Sequence, residues 1–195
     1  MVFCLTSANE TTTDGSAAQL DHLLFQIASS HSEALGVLYR STSSTVYAFA
    51  LSILKNPQDA EDVLHDTYVN IYSAASSYYS AGKPMAWILT ITRNLCLLKL
   101  RGKSRMTDIP PENWEPYLNT CESITPEDKL ILYECMNRLS EEERQIVVLH
   151  AVAGFRYKEI ASFMQFPLST VLSKYHRAIK KLKNYLKKES ENDDQ

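Results

Sequence analysis

The stretch Tyr157-Lys-Glu-Ile-Ala-Ser-Phe-Met164, then Gln165-Phe-Pro167, then Leu168-Ser-Thr-Val-Leu-Ser-Lys-Tyr-His-Arg-Ala-Ile-Lys-Lys181 decides the fold. In the first part Ile160, Ala161 and Met164 share one side of a short helix. Gln165 to Pro167 is a turn, and a proline ahead of a helix start costs nothing. The last helix runs to about Lys188, with Val171, Tyr175, Ala178, Leu182 and Leu186 at intervals of four, three, four and four. The other face carries Thr170, Ser173, Lys174, Arg177, Lys180 and Lys181, with His176 at its border. Short helix, three-residue turn and longer helix make a helix-turn-helix, whose second helix can enter a major groove. Short hydroxyls and long donors are what base edges and phosphates require. A solvated lysine-rich helix has the same spacing and charge, so periodicity leaves both readings open.

Upstream, Ser140-Glu-Glu-Glu143 is a capping box that opens a helix through Ala151, with Ile146, Val147 and Leu149 or His150 inward and Gly154 ending it. Pro126 opens a helix through Leu139. From Thr107 to Pro126 there are four prolines and no helical period, which reads as an acidic linker. A first helical block precedes it. Leu20, Leu23, Leu24 and Ile27 mark one helix, and Ser32 to Lys55 a second, broken at Asn56-Pro57. A third turns Ala60, Val63, Leu64, Tyr68, Ile71 and Tyr72 inward. Ser76 to Pro84 is a loop, and Met85 to about Lys103 a fourth helix burying Trp87 or Ile88, Ile91, Leu95 and Leu98. The expected fold is all-α, with two small helical domains on a flexible linker and the C-terminal one a helix-turn-helix. The boundaries are a polar tail over 1–16, a domain over 17–105, the linker over 106–125, a second domain over 126–188 and an acidic tail over 189–195.

The formal net charge of −3 argues against a polyanionic partner, but its distribution does not. Up to Asp66 only Arg40 and Lys55 face eight acids, whereas Lys83 to Arg105 holds six bases and no acid. Met106 to Asn137 is acidic again, and from Arg138 to Lys188 eleven bases outnumber four acids. Two basic segments flanking an acidic one fit a polyanion touched twice, or simply solvated helix faces. Cys4, Cys96, Cys121 and Cys135 form no CxxC pair, so free thiols are expected and neither a metal nor another cofactor. The first fifteen residues lack the pattern of a secretory signal, and no apolar run approaches the ~18 residues of a membrane span. A cytoplasmic protein without membrane insertion is the expectation.

Three runs now select between these readings: Arg144-Gln-Ile-Val-Val-Leu-His150, Gly154-Phe-Arg-Tyr-Lys-Glu-Ile-Ala161 and Ser169-Thr-Val-Leu-Ser-Lys-Tyr-His-Arg-Ala178. Together they resemble the C-terminal promoter-binding domain of bacterial sigma factors. Upstream, Asp59-Ala-Glu-Asp-Val63 and Trp87-Ile-Leu-Thr-Ile-Thr-Arg-Asn94 with Arg101 resemble the second conserved domain of the extracytoplasmic-function group. The resemblance spans roughly Ala17 to Lys188 and implies a non-enzymatic factor that binds core RNA polymerase and promoter DNA.

The resemblance also implies roles for residues. Asp59, Glu61, Asp62, Val63 and Asp66 match the surface for core polymerase, and the carboxylates suit bidentate arginine contacts. Tyr78 to Arg105 matches the part that opens the minus-ten element. There Tyr78 and Tyr79 are stacking candidates, Lys83, Arg93 and Arg101 phosphate holders, and Asn94 a base contact. Trp87 is read as a core anchor. In the last helix Ser173, His176 and Arg177 face one way as base-edge contacts for the minus-thirty-five element. Thr170 shares that face, while Lys174, Lys180 and Lys181 hold phosphates. Leu172 stands where relatives carry Arg or Lys, Leu98 where an acid is frequent, and Pro167 and Ser169 where a polar cap and glycine are common, so altered promoter specificity follows. An anti-sigma factor is a partner that the family allows and no residue here specifies. A stand-alone helix-turn-helix regulator is the alternative; the acidic segment and the linker count against it. Paired carboxylates could also make an acid–base site, but no His or nucleophile joins them in the pattern.

Overall fold

The computed structural model describes the backbone of residues 13–80, 82–103 and 136–192, with side chains over 17–80, 82–102 and 136–185. The linker, most of the helix expected after Pro126, the greater part of both tails, and the thiols of Cys4, Cys121 and Cys135 lie outside the described residues. Among the described residues there are seven α-helices, one 3-10 turn and no strand. They are α1 (Thr13–Ala28), α2 (Ser32–Leu54), α3 (Pro57–Ala74), the 3-10 turn Ala75–Ser77, α4 (Pro84–Lys103), α5 (Glu141–Ala151), α6 (Tyr157–Met164) and α7 (Leu168–Asn192).

Local chemistry sets these boundaries. Asn56 caps α3 by accepting the Asp59 N–H at 3.0 Å, and Pro57 occupies the first turn where no N–H is needed. At α5 the expected capping box is present: the Ser140 hydroxyl accepts from the Glu143 N–H, and the Glu143 carboxylate accepts from the Ser140 N–H at 3.0 Å. Gln165 closes α6 in the left-handed region at φ 58°, so the turn between α6 and α7 is held without a glycine. Gly154, at φ 71°, does use its freedom to redirect the chain from α5 to α6.

Helices α1 to α4 pack around Leu24, Leu38, Phe49, Val63, Ile71, Ile88 and Leu89, all fully or almost fully buried. Thr42 and Tyr68 satisfy each other inside this core. The Thr42 hydroxyl bonds the Leu38 carbonyl and shares a 2.7 Å bond with the Tyr68 hydroxyl, which burial pushes up to about 12. Two inward assignments change. Leu98 is 65% exposed, because Ile88, Thr92 and Cys96 line the buried stripe of α4 and turn Leu98 outward. Tyr72, expected inside, is half exposed beside Val69 on the outer face of α3.

In the second block Ile146, Leu149, Ile160 and Val171 are buried. A ring cluster locks α7 onto its supports: His150 stacks on Tyr157 at 4.4 Å, and Tyr175 meets His150 edge-on at 5.0 Å. The two blocks share one continuous apolar core. α5 and α6 lie on the C-terminal half of α2, where Phe49 meets Phe163 edge-on with centroids 5.8 Å apart.

Candidate nucleic-acid interface

The basic face of α7 is carried by the helix-turn-helix as the spacing predicts, and Ser173, His176, Arg177, Lys180 and Lys181 are exposed. Arg177 Nε donates back to the Ser173 carbonyl at 3.2 Å, and the Ser173 hydroxyl donates to the Ser169 carbonyl at 2.9 Å. These two side chains therefore lie together along the helix. Thr170 and Leu172 are half-buried beside them.

Two of the lysines are already engaged. Lys174 pairs with Glu142, and Lys181 Nζ lies 2.7 Å from Glu143 Oε2. Both acids sit in the first turn of α5, where the helix dipole favours negative charge. The lysines thus clamp α7 to α5. Burial works against ionisation of Glu143, but the bonds from Lys181 and Ser140 outweigh it and hold the carboxyl below its ordinary range. A depressed pKa stabilises fully above the unfolded value and is lost as pH falls through the folded one. Glu143→Gln, which keeps the reach to Ser140, is expected to cost about 1–2 kcal/mol at neutral pH. The difference should shrink in acid, and urea midpoints at pH about 7 and about 3 check it; an equal deficit at both values would refute the linkage.

The expected minus-ten residues are spread along α4. Tyr79 and Lys83 stand at its N-terminal end; Asn94 and Arg101 line a groove of roughly 450 Å³ between α3 and α4 with Asn70, Ala74, Ile91 and Leu98. Arg93 is half-buried. The loop separates its two tyrosines sharply. Tyr79 is 87% exposed, whereas Tyr78 is buried against Trp87 at 4.9 Å and Phe25 at 6.0 Å. The Tyr78 hydroxyl also donates to Asp21 of α1, which accepts the Ser80 hydroxyl at 2.8 Å. In this conformation Tyr78 anchors the loop and only Tyr79 is presented. Asp21 gave no sequence signal, since a lone acid in an amphipathic helix has no pattern. Trp87 packs against the core, as read.

On α3 the acidic segment is not one uniform surface. Asp62 is exposed at 60% of its side chain, Asp66 is exposed and Glu61 half-buried. Val63 is 1% exposed, so its assignment as a contact residue gives way to a place in the core; the three-four spacing with Ala60 and Ile71 puts it there. Asp59 is buried and lies 3.4 Å from Lys99 Nζ, which also reaches Asp62 at 2.5 Å. Burial opposes the charge on Lys99, but Asp62 and Asp59 outweigh it and raise its pKa. Lys99 is one of the six bases between Lys83 and Arg105, and no sequence feature pairs residues 37 positions apart.

Two helical blocks, one presenting an exposed basic helix of a helix-turn-helix and the other an acidic helix beside a basic one, define a bipartite helix-turn-helix protein. The comparisons sharpen this. Residues 38–106 match the family model for sigma-70 region 2, and residues 129–182 the one for sigma-70 region 4. The extracytoplasmic-function RNA polymerase sigma factor SigK of Mycobacterium sp. (strain KMS) is 28% identical over 174 residues, covering 86% of this chain and 90% of that protein. SigK of Mycobacterium tuberculosis (strain ATCC 25177 / H37Ra) is 26% identical over 177 residues, covering 87% and 95%. Among solved structures, CnrH in complex with the cytosolic domain of CnrY is similar with a TM-score of 0.60 at 22% identity, covering 87% of this chain and 97% of that one. RpoE in complex with the anti-sigma factor NepR from Bartonella quintana gives 0.59 at 24%, covering 76% and 94%. The chain belongs to the sigma-70 family, in its extracytoplasmic-function group.

Proposed function

We infer that this protein is a sigma factor: it binds core RNA polymerase and directs it to promoters, with no catalysis of its own. The observation that carries the reading is that regions 2 and 4 occur in order and each presents an exposed face of fitting chemistry. The domains are taken as 17–105 and 126–188, joined by the linker.

The exposed carboxylates Asp62 and Asp66, with Glu61 beside them, are the contact for core polymerase, and the uncovered Val69 and Tyr72 extend the same helix face. Tyr79 stacks on an unpaired base of the minus-ten element, while Lys83, Asn94 and Arg101 follow the strand along α4. In α7, Ser173, His176 and Arg177 read base edges of the minus-thirty-five element and Lys180 holds a phosphate. Lys174 and Lys181 exchange Glu142 and Glu143 for phosphates on binding. No described helix is long and apolar enough to cross a membrane, and such a factor acts in the cytoplasm. CnrH and RpoE were each solved with a protein bound; an anti-sigma partner is accordingly proposed here too.

Reconstituting core polymerase with the purified protein and mapping run-off transcripts tests the reading. Promoter-dependent transcripts are expected; tight operator binding without polymerase would instead favour a stand-alone regulator. Asp62→Ala is expected to weaken core binding by about 1–3 kcal/mol, the scale of a charge-assisted hydrogen bond. Thermal stability should hardly move, because Lys99 retains Asp59. Titration of labelled protein into core polymerase would show it, and unchanged affinity would remove Asp62 from the interface.

A further inference from the structure

We propose that the upstream element is read in part through thymine: Leu172, with Leu168 one turn before it, packs on the C5 methyl groups of A·T pairs at the start of α7.

The observation is a division within the recognition helix. Its N-terminal end is the part that a helix-turn-helix lays against base edges. From Gln165 to Ser173 that end carries no ionisable side chain, whereas Lys174, Arg177, Lys180, Lys181 and Lys183 follow it. Lys174, the nearest cation, is already engaged: it pairs with Glu142, and its Nζ stands 5.9 Å from the centroid of the Phe166 ring. What the first turns offer instead is the exposed Leu168 and, one turn later, the half-buried Leu172, with the exposed Ser169 and Ser173 alongside. Side chains four residues apart lie one above the other on a helix, so the two leucines form a short apolar strip. One exposed leucine needs no explanation. Two in line, on the end that approaches the bases and ahead of any charged side chain, make a surface for an apolar group. The major groove offers such a group in the methyl of thymine.

Ser173 completes the match. Its hydroxyl donates back to the carbonyls of Ser169 at 2.9 Å and Thr170 at 3.1 Å. With the proton turned inward, the oxygen lone pairs remain to accept, and the adenine N6 amino group is a donor in the groove. An A·T pair presents both that amino group and a methyl; a G·C pair has an amino group and no methyl. Guanine calls for a long donor, and the first exposed one, Arg177, stands more than a turn beyond Leu172. The name of the element rests on the sigma-factor reading; the contact between helix and duplex does not.

Uracil differs from thymine only by this methyl, so replacing the thymines of the upstream element one at a time by deoxyuridine tests the contact with the protein untouched. With the full chain on core polymerase, promoter affinity measured by competition should fall about fourfold at one or two thymines, the factor that burying one methyl gives. In Leu172→Ala the same replacements should cost nothing further. Leu172→Arg should move the preference at that position from thymine toward guanine. An upstream element without thymine, an affinity indifferent to uracil throughout it, or a full uracil penalty persisting in Leu172→Ala would overturn the inference. Failure to bind core polymerase would instead sink the sigma-factor reading, and the same uracil scan on duplexes selected by the free chain would still decide the contact.

Discussion

Replacing Phe49 by alanine is expected to cost about 3–5 kcal/mol and to weaken both blocks at once. The ring is fully buried in α2 and meets Phe163 of α6 edge-on; Phe163 in turn meets Phe155 at 6.0 Å. Truncation leaves a cavity where the two halves share their core, and the surrounding helices can close it only in part. Chemical unfolding of the wild type should show one transition, and that of Phe49→Ala an earlier midpoint. A loss under about 1 kcal/mol would mean that the site collapses freely and the shared core is not tightly packed.

The second large effect falls on function. Arg177→Ala is expected to reduce discrimination for the upstream element by about 1–3 kcal/mol, a loss of roughly five- to 150-fold. Arg177 is exposed and held beside Ser173, so its removal takes away the proposed base contact without disturbing the buried stripe of Val171 and Ala178. Transcription from promoters mutated one base at a time is the measurement. The preference at one or two upstream positions should flatten while helicity and core binding persist. A uniform weakening across all sequences, with a shallower salt dependence, would instead make Arg177 a phosphate contact.

Much of the architecture could be read from the chain before any coordinates. α6 and the Ser140 box are local features, fixed by residues three or four apart, and both stand where the spacing places them. Asn56-Pro57 likewise ends one helix and begins another by its own chemistry. What escaped was non-local or depended on which of two adjacent faces wins. Leu98 follows Ile91 and Leu95 at helical spacing, yet Thr92 and Cys96 are the buried pair. Arg144 was a family signature residue with no visible reason to be buried, since its partner is a carbonyl 92 positions away. Tyr78 and Tyr79 are identical by composition and adjacent in sequence; only the position of α1 decides which is hidden. The pairing of Lys99 with Asp59 and Asp62 likewise needed the packing of α3 on α4.

The tether from Asp21 to Tyr78 and Ser80 has one more consequence. A segment that must fold around its ligand loses conformational entropy when it binds, and that loss comes out of the affinity. Here Tyr78 and Ser80 are held in place before any strand arrives, and Tyr79 projects between them with its ring free. Engaging a base then freezes little more than the two torsions of one aromatic side chain. Loosening the tether by Asp21→Ala would leave every proposed strand contact in place and still slow strand capture, because the ordering would have to happen at the moment of encounter.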